Sequence, residues 1–105
     1  MNSSTVESRE AVAIRVNLTD DTLSVELSDG RTIAAPLAWY PRRAHATAKE
    51  RNAWLLIAAG RGIHWPDLDE DISVANLLAG QPSGESQASF KKWLSQREKR
   101  NKGSR

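Results

Sequence analysis

Three short runs near the start of the chain alternate apolar with polar residues, and the residues between them are turn formers. Val12, Ile14, Val16 and Leu18 alternate with Ala13, Arg15 and Asn17. A period of two is the signature of a strand buried on one face. After Asp20-Asp21 the pattern resumes at Leu23, Val25 and Leu27, and Asp29-Gly30 follows as a two-residue hairpin signal, since glycine takes positive φ without a Cβ clash. Strands over 11–19, 22–28 and 31–35, joined by two hairpins, make an antiparallel meander. One of its faces requires cover.

That cover has to come from the rest of a short chain. Pro36 ends the third strand, and Pro41 rules out one unbroken helix over 37–44, so PLAWYPRRA reads as a short helical turn or an irregular segment. Thr47 and Glu50 have capping-box spacing. A helix over 48–58 follows, stopped at Gly60 and burying Trp54 and Leu55, although the apolar run 53–59 also fits a buried strand. Residues 63–65 form a short edge strand stopped by Pro66, with Ile63 and Trp65 on one face and His64 on the other. Ser73 caps a helix over 74–79, and the acids at 69–71 suit the dipole at its start. Phe90, Trp93 and Leu94 mark a basic amphipathic helix over 89–99. The expected fold is α+β: a small antiparallel sheet, made of the three-stranded meander plus the short extra strand, with helices packed on one face. Residues 1–10 are expected to be a disordered N-terminus, 11–80 the domain, 81–87 a linker and 88–105 a basic C-terminal helix and tail.

Length and charge narrow the function classes. At 105 residues there is room for one domain, and the longest wholly apolar run, seven residues, is far short of the ~18 that a membrane span needs. With no cysteine there is no disulfide, thiol nucleophile or thiolate metal site. Residues 1–10 lack the basic and apolar parts of a secretory signal, so a cytoplasmic location without membrane contact is expected. The last sixteen residues hold seven Lys and Arg against one acid, a charge of +6, whereas residues 1–89 hold eight against twelve, a charge of −4. The pI near 9.3 therefore describes the tail.

DGR at 29–31, PLAWYPR at 36–42 and GIHWPDLDEDISVANLL at 62–78 resemble a small bacterial family known as domain of unknown function 2442. The resemblance spans about residues 11–80 and leaves out the tail. It implies a small α+β domain, in some members fused to a helix-turn-helix, and a gene placed beside that of a small partner protein in arrangements resembling toxin–antitoxin pairs. It implies no catalytic residue. At Arg43-Ala44 the chain departs from the pattern, where the resemblance leads one to expect a leucine after Tyr-Pro-Arg.

Motifs for a nucleophile elbow, a phosphate loop, a zinc protease or a dinucleotide fold are absent, and no catalytic residue, resident metal or cofactor is expected. The expected function is a non-catalytic interaction module, antitoxin-like or regulatory, whose partner is a small bacterial protein such as a toxin. Its candidate contact surface comprises Trp39, Tyr40, His64, Asp67, Asp69, Glu70 and Asp71. The alternative is a metal-assisted hydrolase, because one imidazole beside the carboxylates of Asp67, Asp69 and Asp71 could ligate a divalent cation. Core packing of the aromatics, and acids pairing with Arg42, Arg61 or Lys49, are the plainer uses of the same residues. In the tail, Lys91, Lys92, Trp93, Arg97, Lys99 and Arg100 form a candidate nucleic-acid contact, with cations for phosphates and an aromatic for a base. A helix merely docked on the domain is the competing reading.

Overall fold

The computed structural model describes residues 10–103, with side chains through residue 98. Of the segment expected to be disordered, residues 1–9 lie outside the described residues. The meander forms as its alternation dictates: β1 (Ala13–Leu18), β2 (Thr22–Leu27) and β3 (Thr32–Pro36) pair antiparallel in the order β1-β2-β3. Leu23, Val25 and Leu27 on β2 are fully buried. Two details differ from the expectation. The second hairpin loop holds three residues rather than two, since Leu27 N–H donates to Arg31 O at 2.8 Å and Gly30 takes the left-handed position with φ of +94°. In β1 a bulge sets Ala13 opposite Leu27 and Arg15 opposite Glu26, so one extra residue shifts the faces. Ala13 and Val16 are buried, while Ile14, expected inside, is 54% exposed.

The helix expected over 48–58 ends early. Thr47 and Glu50 form the capping box, with Glu50 N–H donating to Thr47 Oγ1 at 3.1 Å and Thr47 N–H to Glu50 Oε1 at 2.8 Å. The helix nonetheless runs only from Ala48 to Asn52. To continue, it would need Arg51 O as the acceptor for Leu55 N–H. That oxygen instead accepts the Trp65 indole N–H at 3.0 Å, and the chain turns into a strand. Three strands, β4 (Leu55–Ile57), β5 (Gly62–Trp65) and β6 (Glu70–Ser73), make a second antiparallel sheet in the order β4-β5-β6. The segment expected at an edge of the meander is thus the centre of a sheet of its own. Its face alternation holds: Ile63 and Trp65 are buried and His64 is half-exposed. Trp54 packs half-buried against the core, but Leu55, expected inside, is 55% exposed.

With the preceding 3-10 turn Leu37–Trp39, helix α1 (Pro41–Ala44) and α2 (Ala48–Asn52) connect the sheets. Glu70 and Asp71, expected at a helix start, lie in β6, whereas Ser73 does cap α3 (Val74–Leu78) by accepting from Asn76 N–H at 3.0 Å. The C-terminal helix α4 (Gln87–Gly103) seats a buried Trp93 and half-buried Phe90 and Leu94 on the core. The α+β class stands, with two three-stranded sheets in place of one.

The β4–β5 connection is the tightest point in the backbone. Ala58, Ala59 and Gly60 are all left-handed, with φ of 52°, 57° and 85°. A Cβ on Gly60 would stand 2.9 Å from Ala13 O and 3.0 Å from Val12 Cβ, against the strand that carries the bulge. Gly60→Ala should therefore cost about 2 kcal/mol or more, the left-handed penalty plus displacement of β1. Gly30→Ala, whose Cβ would meet nothing within 4 Å, should cost only about 1 kcal/mol. Urea midpoints of the two variants measure the contrast.

Candidate functional site

Two arginines on α1 organise the charged interior. Arg43 is 1% exposed, its guanidinium carbon 4.2 Å from the Trp65 ring centroid and 5.5 Å from that of Tyr40. Its Nη1 donates to the Glu70 carboxylate from β6. Here the position at which the family resemblance suggested leucine holds an arginine, whose aliphatic stem supplies apolar packing and whose head is stabilised by aromatic faces and one carboxylate. Arg42 lies beside the same carboxylate, its Nε 3.8 Å from Glu70 Oε2. It grips Glu85 with Nε at 2.9 Å from Oε2 and 3.1 Å from Oε1, and its Nη1 reaches Leu68 O at 2.9 Å. Glu85 also accepts from Ser89 Oγ at 2.8 Å, and Ser83 N–H donates to Trp39 O at 3.0 Å, so the segment between α3 and α4 is tied to α1.

These pairs set the carboxyl groups apart. Hydrogen bonding from Arg42 holds Glu85 below the usual carboxylate range, whereas burial pushes Glu70 above it despite Arg43. Burial likewise lowers Arg43.

The tail helix is anchored by a second bidentate pair, Arg97 to Glu50, with Nη1 at 2.8 Å from Oε2. The Trp93 ring has two guanidinium groups over it, those of Arg42 at 5.3 Å and Arg97 at 5.0 Å from its centroid, and Phe90 stacked at 5.9 Å. Those contacts occupy the ring that a base would stack on. Lys91 and Lys92 point outward, and the side chains of Lys99 and Arg100 lie outside the described residues. The Arg97 hydrogen bond, helped by the capping-box amide, holds Glu50 at about 2 against an ordinary 4.5. The folded carboxyl thus binds a proton more weakly than the unfolded one. Its stabilising contribution is full above pH 4.5 and is lost as the pH falls toward 2. Melting temperature should drop through that window, and Glu50→Gln should lower it at pH 7 while flattening the acid limb.

The residues expected to form one contact surface separate. Tyr40 is 3% exposed, Trp39 is half-buried, and Glu70 is engaged by Arg43. His64, Asp67, Asp69 and Asp71 remain at the surface, with His64 Nδ1 hydrogen-bonded to Asp71 Oδ1. Among the described residues, no group of three or more histidine and carboxylate side chains is placed to hold a metal ion. The cluster needed for metal-assisted hydrolysis does not converge.

A different surface stands out at β4. Both strands at the outer edges of the meander carry a guard of the kind natural sheets use: β1 has a bulge and Arg15, and β3 ends in Pro36. β6 carries Glu70 and Asp71. β4 has no such guard. Leu55, Leu56 and Ile57 are 55%, 38% and 36% exposed, within an uncharged stretch over 53–60, and among the described residues β5 alone pairs with the strand. Local sequence signals this surface only as an apolar run, because its exposure depends on which partner strand lies beside it. Arg43 with Glu70 and Arg42 with Glu85 are likewise unreadable locally, being 27 and 43 residues apart. Among the described residues no helix is long and apolar enough to cross a membrane.

A crystal structure of a protein of unknown function from Rhodospirillum rubrum ATCC 11170 matches with a TM-score of 0.63 and 26% identity, over 78% of this chain and 99% of that one. The solution structure of an uncharacterized protein from Chromobacterium violaceum matches with a TM-score of 0.62 over 90% of this chain and 83% of that one; at 18% identity the likeness is one of fold. No curated protein matches the chain. The model of the family described as protein of unknown function (DUF2442) matches residues 13–83, a stretch that holds both sheets, the arginine pair and the β4 edge, and the chain belongs to that family.

Proposed function

We propose that this domain is a non-catalytic protein-binding module, the regulatory, antitoxin-like half of a bacterial pair, and that it receives its partner along the β4 edge. The observation that carries the reading is the unguarded, uncharged edge strand with all three side chains exposed. An open edge offers main-chain hydrogen bonds to an added strand, and the exposed leucines and isoleucine supply apolar contact. The family resemblance supplies the class of partner, a small protein encoded alongside. His64 on β5 opposite Leu55, Asp71 beyond it on β6, and Asp67 and Asp69 on the β5–β6 connection form an acidic flank that favours a basic partner surface.

Co-expression with the neighbouring gene product tests this. The wild-type chain should co-purify with it, and Leu56→Lys should abolish capture while changing stability by less than about 0.5 kcal/mol, the usual range at an exposed site. A neighbour that never binds, or that binds Leu56→Lys equally well, contradicts the reading.

A further inference from the structure

A cleft of about 320 Å³ lies between α1, β6, α3 and the segment leading into α4, far in function from the β4 edge. Tyr40, Arg43, Glu70, Asp71, Ser83 and Glu85 are among its lining residues. Two of them hold buried polar atoms with no hydrogen-bond partner: the Tyr40 hydroxyl, and Nε and Nη2 of Arg43. Nε and Nη2 form the edge of a guanidinium that grips a carboxylate side-on, and Glu70 uses only Nη1. Buried donors are nearly always satisfied in native proteins, by protein, water or ligand. Both unsatisfied side chains line the same cleft.

Charge then selects the ligand class. Glu70 faces Arg43 and Arg42 neutralises Glu85 from behind, whereas the Asp71 carboxylate turns to His64 on the other face of the sheet, so the charges on the cleft side balance. A plain anion would meet the Glu70 carboxylate beside the arginine, and a plain cation would leave the arginine edge empty. We infer that the cleft binds a free α-amino acid as its zwitterion, with the carboxylate on the Nε–Nη2 edge of Arg43 and the Tyr40 hydroxyl, and the ammonium toward Glu70. This site is independent of the β4 reading, and either can fail alone.

The test is a thermal-shift and calorimetric titration of the full chain with each of the twenty common L-amino acids at millimolar concentration. At least one should bind. For that amino acid, the amine lacking its carboxylate and the acid lacking its amine, ethylamine and propionate in the case of alanine, should bind at least tenfold more weakly. Tyr40→Phe removes only an unpartnered hydroxyl and should keep the fold while weakening affinity about tenfold, as loss of one hydrogen bond to a charged group does. Arg43→Lys should weaken it further, with circular dichroism reporting whether it folds. No shift with any of the twenty, equal binding of the two truncated analogues, or unchanged affinity in Tyr40→Phe overturns the inference.

Discussion

Trp65→Ala is expected to cost about 3–5 kcal/mol, the range for deleting a buried large aromatic, out of a total near 5–15 kcal/mol for a domain of this size. The residue is fully buried in the central strand of the second sheet. Three things depend on it. Its indole N–H donates to Arg51 O at 3.0 Å and so ties β5 to the last turn of α2. Its ring supports the Arg43 guanidinium at 4.2 Å. Its bulk fills the space beside Ile63 and Leu68 in the same core. Trp65→Phe should retain most of the packing and lose the hydrogen bond, for an intermediate cost, while Trp54→Ala, only half-buried, should cost less than either. Urea titrations of the three rank them; a Trp65→Ala midpoint within error of wild type would show that the core has been misplaced.

Removing residues 87–105 is the second large perturbation. The helix buries Trp93 and parts of Phe90 and Leu94, stacks Phe90 on Trp93 at 5.9 Å, and supplies Arg97 to Glu50. At about 1.5–3 kcal/mol for a fully buried large apolar side chain, the loss comes to roughly 3 kcal/mol or more. For a domain of this length that lowers the melting temperature by roughly 12 °C or more. The truncated chain would also leave Arg42 stacked on nothing and Glu50 without its main partner. An unchanged melting temperature after truncation would mean that the helix is free of the domain, and the tail's charge would then be available to a polyanion along its whole length.

The meander was legible because its information is local: alternation fixes the faces and Asp29-Gly30 fixes a turn. Local pattern also placed the Thr47 capping box and the Ser73 cap, whose partners lie three residues away. It failed where a long-range partner decides. Ile14 looks buried by parity, and one bulge residue turns it outward. Residues 53–59 satisfy helix and strand equally, and the choice goes with pairing to β5, 55–57 lying opposite 62–64. Arg43 reads as surface charge until Trp65, Tyr40 and Glu70 close around it. Of the expected contact residues, Asp67, Asp69 and Asp71 lie exposed and His64 half-exposed, while Glu70 is drawn inward to Arg43. Tyr40 and Trp39 came from aromatic content, which does not distinguish a core from an interface.

The β4 edge is the centre of this account, and backbone amide exchange reports on it directly. Leu55, Leu56 and Ile57 should exchange fast in the free protein on the side of the strand that faces away from β5, since an edge strand leaves alternate amides unpaired. In the complex with the neighbouring gene product, hydrogen–deuterium exchange over residues 55–57 should slow by at least tenfold, with smaller changes over β1–β3. Protection that appears elsewhere while residues 55–57 exchange as fast as before would contradict strand addition at β4.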